Sequence, residues 1–357
     1  MANPFTALMS AAKAHALAHH ARVPVLSPND ASLLEGPTRV NVAALHALGI
    51  RVVPWTTNDP VRMRALIALG VDGLISDRPD LLQRALADAR SHGVSVAAHF
   101  DVAGHRGARG LRPENTLPAF EAGLDHLVTT LETDTGVTRD RHSIVWHDQF
   151  FNPESCRRAD GQPYSYDNAI FHRDYTLAEL QQITICDGLH TARFPDQRND
   201  LALSPTAVAF ATAEHLPSPF SPISVDQLFR FAAFYADFYR TGPGRMHPRA
   251  SARSANAADV RFNLETKILP YSDGGNVVPV AGQEPTTNHT ADPQTFVSTL
   301  CGAIHKAQMD VRAEIQSFDF RTLQLVEAQF PTIPTYYLTD DPAELATKFV
   351  PANLRQR

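Results

Sequence analysis

Cysteine is scarce in this chain: Cys156, Cys186 and Cys301 are the three among 357 residues. So few, and so scattered, they make neither a disulfide framework nor a thiolate metal site, and all three read as free thiols. Long apolar runs are missing as well. No stretch approaches the roughly 18 consecutive apolar residues that cross a bilayer, which argues against stable membrane insertion. There is no Lys/Arg run, and the formal charge of −6 leaves no basic footprint for nucleic acid. The stretch Met1–Ala21 lacks the continuous apolar centre of a secretory signal, being interrupted by Lys13, His15, His19 and His20. With no signal peptide evident, a cytoplasmic location is the expectation; oligomeric state is not legible.

What is present is ordinary globular composition, 43% hydrophobic and 20% charged. Short apolar segments alternate with helical ones, the pattern of βαβ units on a parallel sheet. Strands are expected at Arg51–Thr56, Gly73–Ser76, Val94–Gly104, Thr129–Asp134, Ser143–Trp146, Arg261–Lys267, Ala313–Phe318 and Thr335–Leu338. Eight such strands close a (β/α)8 TIM-type barrel, and such barrels run to about 250 residues or more as one domain. Between Trp146 and Arg261 lie about 110 residues without clean periodicity. They read as an insertion over the barrel mouth, with helical stretches at Leu177–Gln182 and Val225–Arg240 and a mobile tail at Thr241–Asn256.

Strand geometry singles out a set of polar residues. Residues i and i+2 of a strand share a face, so Glu132 and Asp134 point the same way, as do Glu265 and Lys267. Both pairs fall at strand C-terminal ends, where α/β barrels carry their functional residues. Three converging carboxylates repel one another unless a cation lies between them, and hard oxygen donors suit Mg2+, Ca2+ or Mn2+. His105 and His147 end the strand candidates Val94–Gly104 and Ser143–Trp146 and can exchange protons near neutral pH. Arg106 can grip phosphate in a bidentate manner, and Lys267 adds a point charge. Residue by residue, the reading reaches metal-assisted hydrolysis. Taken singly, a Glu-x-Asp pair or a His-Asp pair is more often a solvated strand edge.

These residues stand in recognisable blocks. Gly104-His105-Arg106-Gly107, then Pro113-Glu114-Asn115-Thr116 and Ala119-Phe120, resembles the opening signature of the glycerophosphodiester phosphodiesterase family. Leu131-Glu132-Thr133-Asp134, Val137-Thr138-Arg139-Asp140, Val145-Trp146-His147-Asp148, Asn263-Leu264-Glu265-Thr266-Lys267 and Gln316-Ser317-Phe318-Asp319 are similar to its later blocks. The resemblance implies a TIM barrel that hydrolyses a small-molecule glycerophosphodiester to sn-glycerol 3-phosphate and an alcohol, with one divalent cation, Mg2+ or Ca2+. It implies Glu132, Asp134 and Glu265 as metal ligands and His105 and His147 as acid and base. Arg106 and Lys267 would bind the phosphate and Trp55 the glycerol, while Glu114 would fix its loop or stand behind the metal ligands.

The order departs from the family. Blocks resembling its C-terminal strands, Val53–Pro60 and Gly70–Pro79, precede the His-Arg-Gly signature here. Circular permutation accounts for this. A helical leader (1–26) would precede one barrel domain (27–357), in which 27–90 supply family strands seven and eight. Residues 94–148 would supply strands one to three, 149–260 the insertion between strands three and four, and 261–357 strands four to six and a tail. A piece of a tandem, or a barrel completed by swapping between chains, is the competing account. Two other functions stand beside the main one. A related phospholipase D-like barrel enzyme acting on lysophospholipid or sphingomyelin head groups would need an apolar rim, which Phe229, Phe231, Phe234, Tyr235, Phe238 and Tyr239 could supply unless they form an ordinary core helix. An inactive barrel kept as a binding module would have no use for three adjacent carboxylates.

Overall fold

The computed structural model describes residues 3–268, 289–346 and 350–355. The end of the tail expected after Asp340 lies partly outside them. The strands, in chain order, are β1 (Val25–Pro28), β2 (Gly73–Ser76), β3 (Asp101–Gly104), β4 (Thr130–Val137), β5 (Ser143–Val145), β6 (Arg157–Arg158), β7 (Thr184–Ile185), β8 (Arg261–Thr266), β9 (Ala313–Ser317) and β10 (Thr335–Thr339). Seven of them form one curled parallel sheet in the order β1-β10-β9-β8-β4-β3-β2, with helices around it. The chain segment at 51–57 bridges the two edges. On one side Val53 N donates to Leu26 O and Trp55 N to Pro28 O; on the other Ile75 N donates to Pro54 O and Thr57 N to Ile75 O. The ring therefore closes within one chain, an α/β barrel of TIM type.

Several strand expectations need correction. Arg51–Thr56 forms only isolated parallel bridges, Leu26↔Val52 and Asn29↔Trp55. It does not lie beside Thr335–Leu338, because β1 takes that place, Val25 opposite Tyr336. Residues 25–76 thus supply three adjacent staves where two were expected. Gly73–Ser76 does pair with Asp101–Gly104, although the expected strand from Val94 begins only at Asp101. Ser143–Val145 is no stave: it runs antiparallel to the end of β4 as a hairpin arm.

Residues along each stave divide by face. Leu131 and Leu264 point outward into the main apolar core shared with the helices, while their neighbours face the barrel axis. Inside, Val25, Val53, Ile75, Ala103 and Tyr336 form a small apolar layer. Below it, at the strand N-terminal ends, Arg261 pairs with Glu314 at 2.8 Å and with Asp101 at 3.0 Å. Charges buried this deep require partners, and each here has one. The top of the barrel is left for the site.

Helix boundaries follow local chemistry. Asp59 accepts from the backbone N–H groups of Val61 and Arg62, and Pro60 opens the helix Pro60–Ala68. Thr116 caps Leu117–Asp125 in the same manner, and Ser224 with Gln227 makes a capping box for Val225–Arg240. The N-terminal helix Pro4–Ala18 is not a detached leader, since Phe5, Leu8, Met9 and Ala12 are wholly buried against the core.

The expected insertion divides in two. Residues 205–260 form helices on the outer face of the barrel, with Phe229 against Phe262 at 4.8 Å between ring centroids. Phe231 and Tyr235 are wholly buried, Tyr239 is nearly so, and Phe234 and Phe238 pack half-buried against the same core, so this helix is a core helix. The tail expected to be mobile is a helical turn and the helix Ala250–Asp259, tied down by Arg253 to Asp125 at 2.9 Å. Residues 149–204 form a cap whose Phe151, Ile170 and Leu180 cluster with Trp146 of the preceding segment. Cys156 and Cys186 are joined there by a disulfide and are not free thiols; Cys301 is free and buried. Among the described residues, no helix is long and apolar enough to cross a membrane.

Candidate active site

The site begins with the turn after β3. Gly107 has φ 85°, and an added Cβ would lie 2.5 Å from the Ala119 backbone, so only glycine fits there. This tight turn lifts His105 and Arg106 to the rim while the Arg106 N–H donates to the Glu132 carboxylate at 2.8 Å. From β4 come Glu132 and Asp134, from β8 Glu265, and just past it Lys267. The ligand oxygens of Glu132, Asp134 and Glu265 all lie within 4.8 Å of one another, and all three residues are buried. His105, His147, Arg106, Lys267 and Trp55 line the same cavity, about 400 Å³ in volume. The sequence-predicted residues thus converge; Glu114 stands just behind, gripping Arg106 at 2.8 Å.

The electrostatics are those of an overcrowded acidic cluster. Burial, then the charges of Asp134 and Glu265, push the Glu132 carboxyl well above its ordinary range. Burial also pushes Glu265 up, against the pull of Lys267, whose Nζ is 3.0 Å from its carboxylate. Asp134 is the exception. Burial opposes its charge, yet Arg106, His147 and Lys267 outweigh it and hold the carboxyl well below the usual range. Hard oxygen donors set this close, with Glu132 and Glu265 both pushed toward the neutral acid, fit a metal cation whose charge would offset that push.

Both histidines are oriented by carboxylates. His105 Nδ1 is 2.6 Å from Asp77, which also receives Arg109 Nε at 2.5 Å. Burial favours the neutral Asp77 acid, but His105 and Arg109 prevail and keep it ionised. Burial and then Arg109 hold the His105 imidazole down at about 4, so it is neutral at pH 7. The remaining nitrogen, Nε2, faces the cluster 3.9 Å from Glu132. His147 Nδ1 meets Asp148 at 2.8 Å, again leaving Nε2 for the cavity. On the opposite wall, Trp55 donates Nε1–H to Ser27 O at 2.9 Å and meets Phe318 edge-on at 5.4 Å.

Sequence reasoning did not single out several contributors. Asp77 stands in the Gly70–Pro79 block and Asp148 directly after His147, so each was visible without its role. Asn115, left-handed at φ 56°, donates to Asp134 at 3.0 Å and fixes that carboxylate. Gln316 donates to the free oxygen of Glu132. Arg193, from the cap, lines the cavity mouth, and no motif announced it.

Residues 3–81 and 105–356 match the model of the Glycerophosphoryl diester phosphodiesterase family. The chain belongs to that family. Among curated phosphodiesterase-family relatives, the Bacillus subtilis protein YhdW, whose name assigns it this activity, is 34% identical over 79 residues, 22% of this chain and 28% of that protein. A similarly named Mycobacterium tuberculosis protein is 41% identical over 54 residues, covering 15% and 20%. This chain therefore aligns with less than a third of the length of either. Among solved structures, a Silicibacter pomeroyi protein named for the same activity is 24% identical with a TM-score of 0.46, covering 71% of this chain and 68% of that one. An Oleispira antarctica phosphodiesterase, solved with the product sn-glycerol-3-phosphate, is 15% identical with a TM-score of 0.36, covering 66% and 64%.

Proposed function

We propose that this chain hydrolyses glycerophosphodiesters to sn-glycerol 3-phosphate and an alcohol, with one divalent cation, Mg2+ or Ca2+, held by Glu132, Asp134 and Glu265. The observation that carries this reading is the buried three-carboxylate cluster sharing one cavity with two carboxylate-oriented histidines. A cation there would draw charge from the phosphoryl oxygens. Neutral His105 accepts through Nε2 the proton of the attacking water, whose oxygen forms the new bond to phosphorus. The bond from phosphorus to the alcohol oxygen breaks, and His147 supplies the proton that this oxygen takes up. Lys267 and Arg106 flank the cluster as counter-charges to the phosphate, and Trp55 forms the wall against the glycerol. The chain order is read as a permutation, with residues 25–76 giving three staves before the His-Arg-Gly stave.

Glycerol 3-phosphate release, followed by a coupled dehydrogenase on glycerophosphoglycerol, glycerophosphoethanolamine and glycerophosphocholine, tests the reading. Turnover should vanish with EDTA, return with Mg2+ or Ca2+, and be lost in Glu132→Gln and His147→Ala. Absence of turnover on all three by folded, metal-loaded protein would overturn it. Of the aromatic residues that a head-group lipase would need at its rim, Phe229, Phe231, Tyr235 and Tyr239 are buried in the core and Phe234 and Phe238 pack half-buried against it, so no observation favours that alternative.

A further inference from the structure

Every cation on the barrel side of the cavity is already committed. Arg106 is held by Glu114 at 2.8 Å and Asp134 at 3.1 Å, Arg109 by Asp77, and Lys267 by Glu265. Arg193 is different. It comes from the cap, lines the cavity at its exposed mouth and forms no ion pair among the described residues. The charged groups around it are of both signs, Arg109 and Arg106 of its own and Asp77 and Glu114 opposite, but those two carboxylates are taken up by Arg109 and Arg106.

The placement is fixed by its neighbours. Gln197 donates from its side chain to Arg109 O at 2.7 Å and accepts from His190 N at 2.6 Å. Asp196 pairs with Arg78 at 2.7 Å. Phe194 is buried, with Arg109 and Arg193 lying 5.3 and 5.1 Å from its ring. The ring thus serves two guanidinium groups and is not left open for a quaternary ammonium. An arginine with no ion-pair partner of its own is complementary to an anion and repels a cation.

We propose that Arg193 reads the alcohol half of the substrate and selects glycerophosphodiesters whose alcohol carries a phosphate or carboxylate over those carrying a quaternary ammonium. The proposal rests on the hydrolytic reading above. The counter-charges of the scissile phosphate, Lys267 and Arg106, stand at the carboxylate cluster, whereas Arg193 lies over the mouth through which the alcohol half projects.

The test compares glycerophosphoinositol 4-phosphate with glycerophosphocholine for wild type, Arg193→Ala, Arg193→Glu and Arg193→Lys, by turnover and by calorimetric binding to metal-loaded protein. Wild type should favour the phosphorylated head group by about fivefold, the upper range for an exposed ion pair, mainly through KM. Arg193→Ala should bring the ratio to about one, Arg193→Glu should invert it, and Arg193→Lys should keep part of it. A ratio unchanged in folded Arg193→Ala, or a wild-type preference for choline, overturns the proposal. Binding that shows the predicted ratios without any turnover would uphold the role of Arg193 while removing the hydrolytic reading.

Discussion

His105 donates its Nδ1–H to Asp77 across 2.6 Å, and the two residues follow directly on neighbouring staves, β3 and β2. The bond fixes the tautomer and aims Nε2 into the cavity, so Asp77 is a positioning residue. Asp77→Asn should lower kcat by about 10²–10⁴-fold, the range for losing a well-placed general base, with KM changed much less. Steady-state kinetics beside circular dichroism check this; an unaltered kcat in folded protein would count against it.

Glu132 carries a structural burden that its replacement should lift. In metal-free protein its charge is opposed by burial, Asp134 and Glu265. Glu132→Gln keeps an acceptor for the Arg106 N–H and removes the repulsion. With EDTA present, its melting temperature should exceed that of wild type. With Mg2+ or Ca2+ the order should reverse, because only wild type gains from binding. Differential scanning calorimetry under both conditions reads the crossover.

The cap depends on the Cys156–Cys186 disulfide, which closes a sequence separation of 30 residues. Chain-entropy arguments assign a loop of that length about 3–4 kcal/mol. Cys156→Ser with Cys186→Ser should loosen residues 149–204 first, seen as faster amide exchange there than in the barrel strands. Thiol titration of denatured, unreduced wild type should find one reactive group, Cys301.

Glu121 should impose a pH dependence on stability. It is wholly buried and accepts from the backbone N–H groups of Thr206 and Ala207 at the start of the helix Pro205–Ala213. Burial, with a smaller push from Asp125, raises its carboxyl to about 7 against those hydrogen bonds. Its folded pKa lies above its unfolded one. Between about pH 4.5 and 7 the unfolded chain ionises this group and the folded chain does not, so stability falls as pH rises through that window and levels off above it. Glu121→Gln should flatten that slope in urea titrations at pH 5, 6 and 7.

Much of this was legible in the sequence because the motifs are local. The i, i+2 spacing of Glu132 with Asp134 and of Glu265 with Lys267 dictates shared faces once the strands exist. The glycines around His105 announce a turn that other residues cannot make. What was not legible depends on partners distant in sequence. Val-Leu-Ser-Pro at β1 is too short and too ordinary to declare itself, and it is a stave only because β10 and the bridging segment flank it. Ser143–Val145 has strand composition, but composition does not reveal an antiparallel hairpin arm. The Cys156–Cys186 pairing, the reach of Asp77 to His105 and the arrival of Arg193 over the mouth all arise from tertiary placement alone.

The seam of the ring lies where Val25 meets Tyr336, about 310 residues apart in the chain. Most neighbouring staves pair with sequence neighbours, but this one joins the two ends of the ring. Loop-closure entropy makes such a contact slow to form. Until it forms, β1 and β10 each present an unpaired backbone edge, open to pairing with another chain. Assembly of this barrel is thus exposed to misassociation at one defined place, and the interval before the seam closes governs how much folded protein is recovered at high concentration.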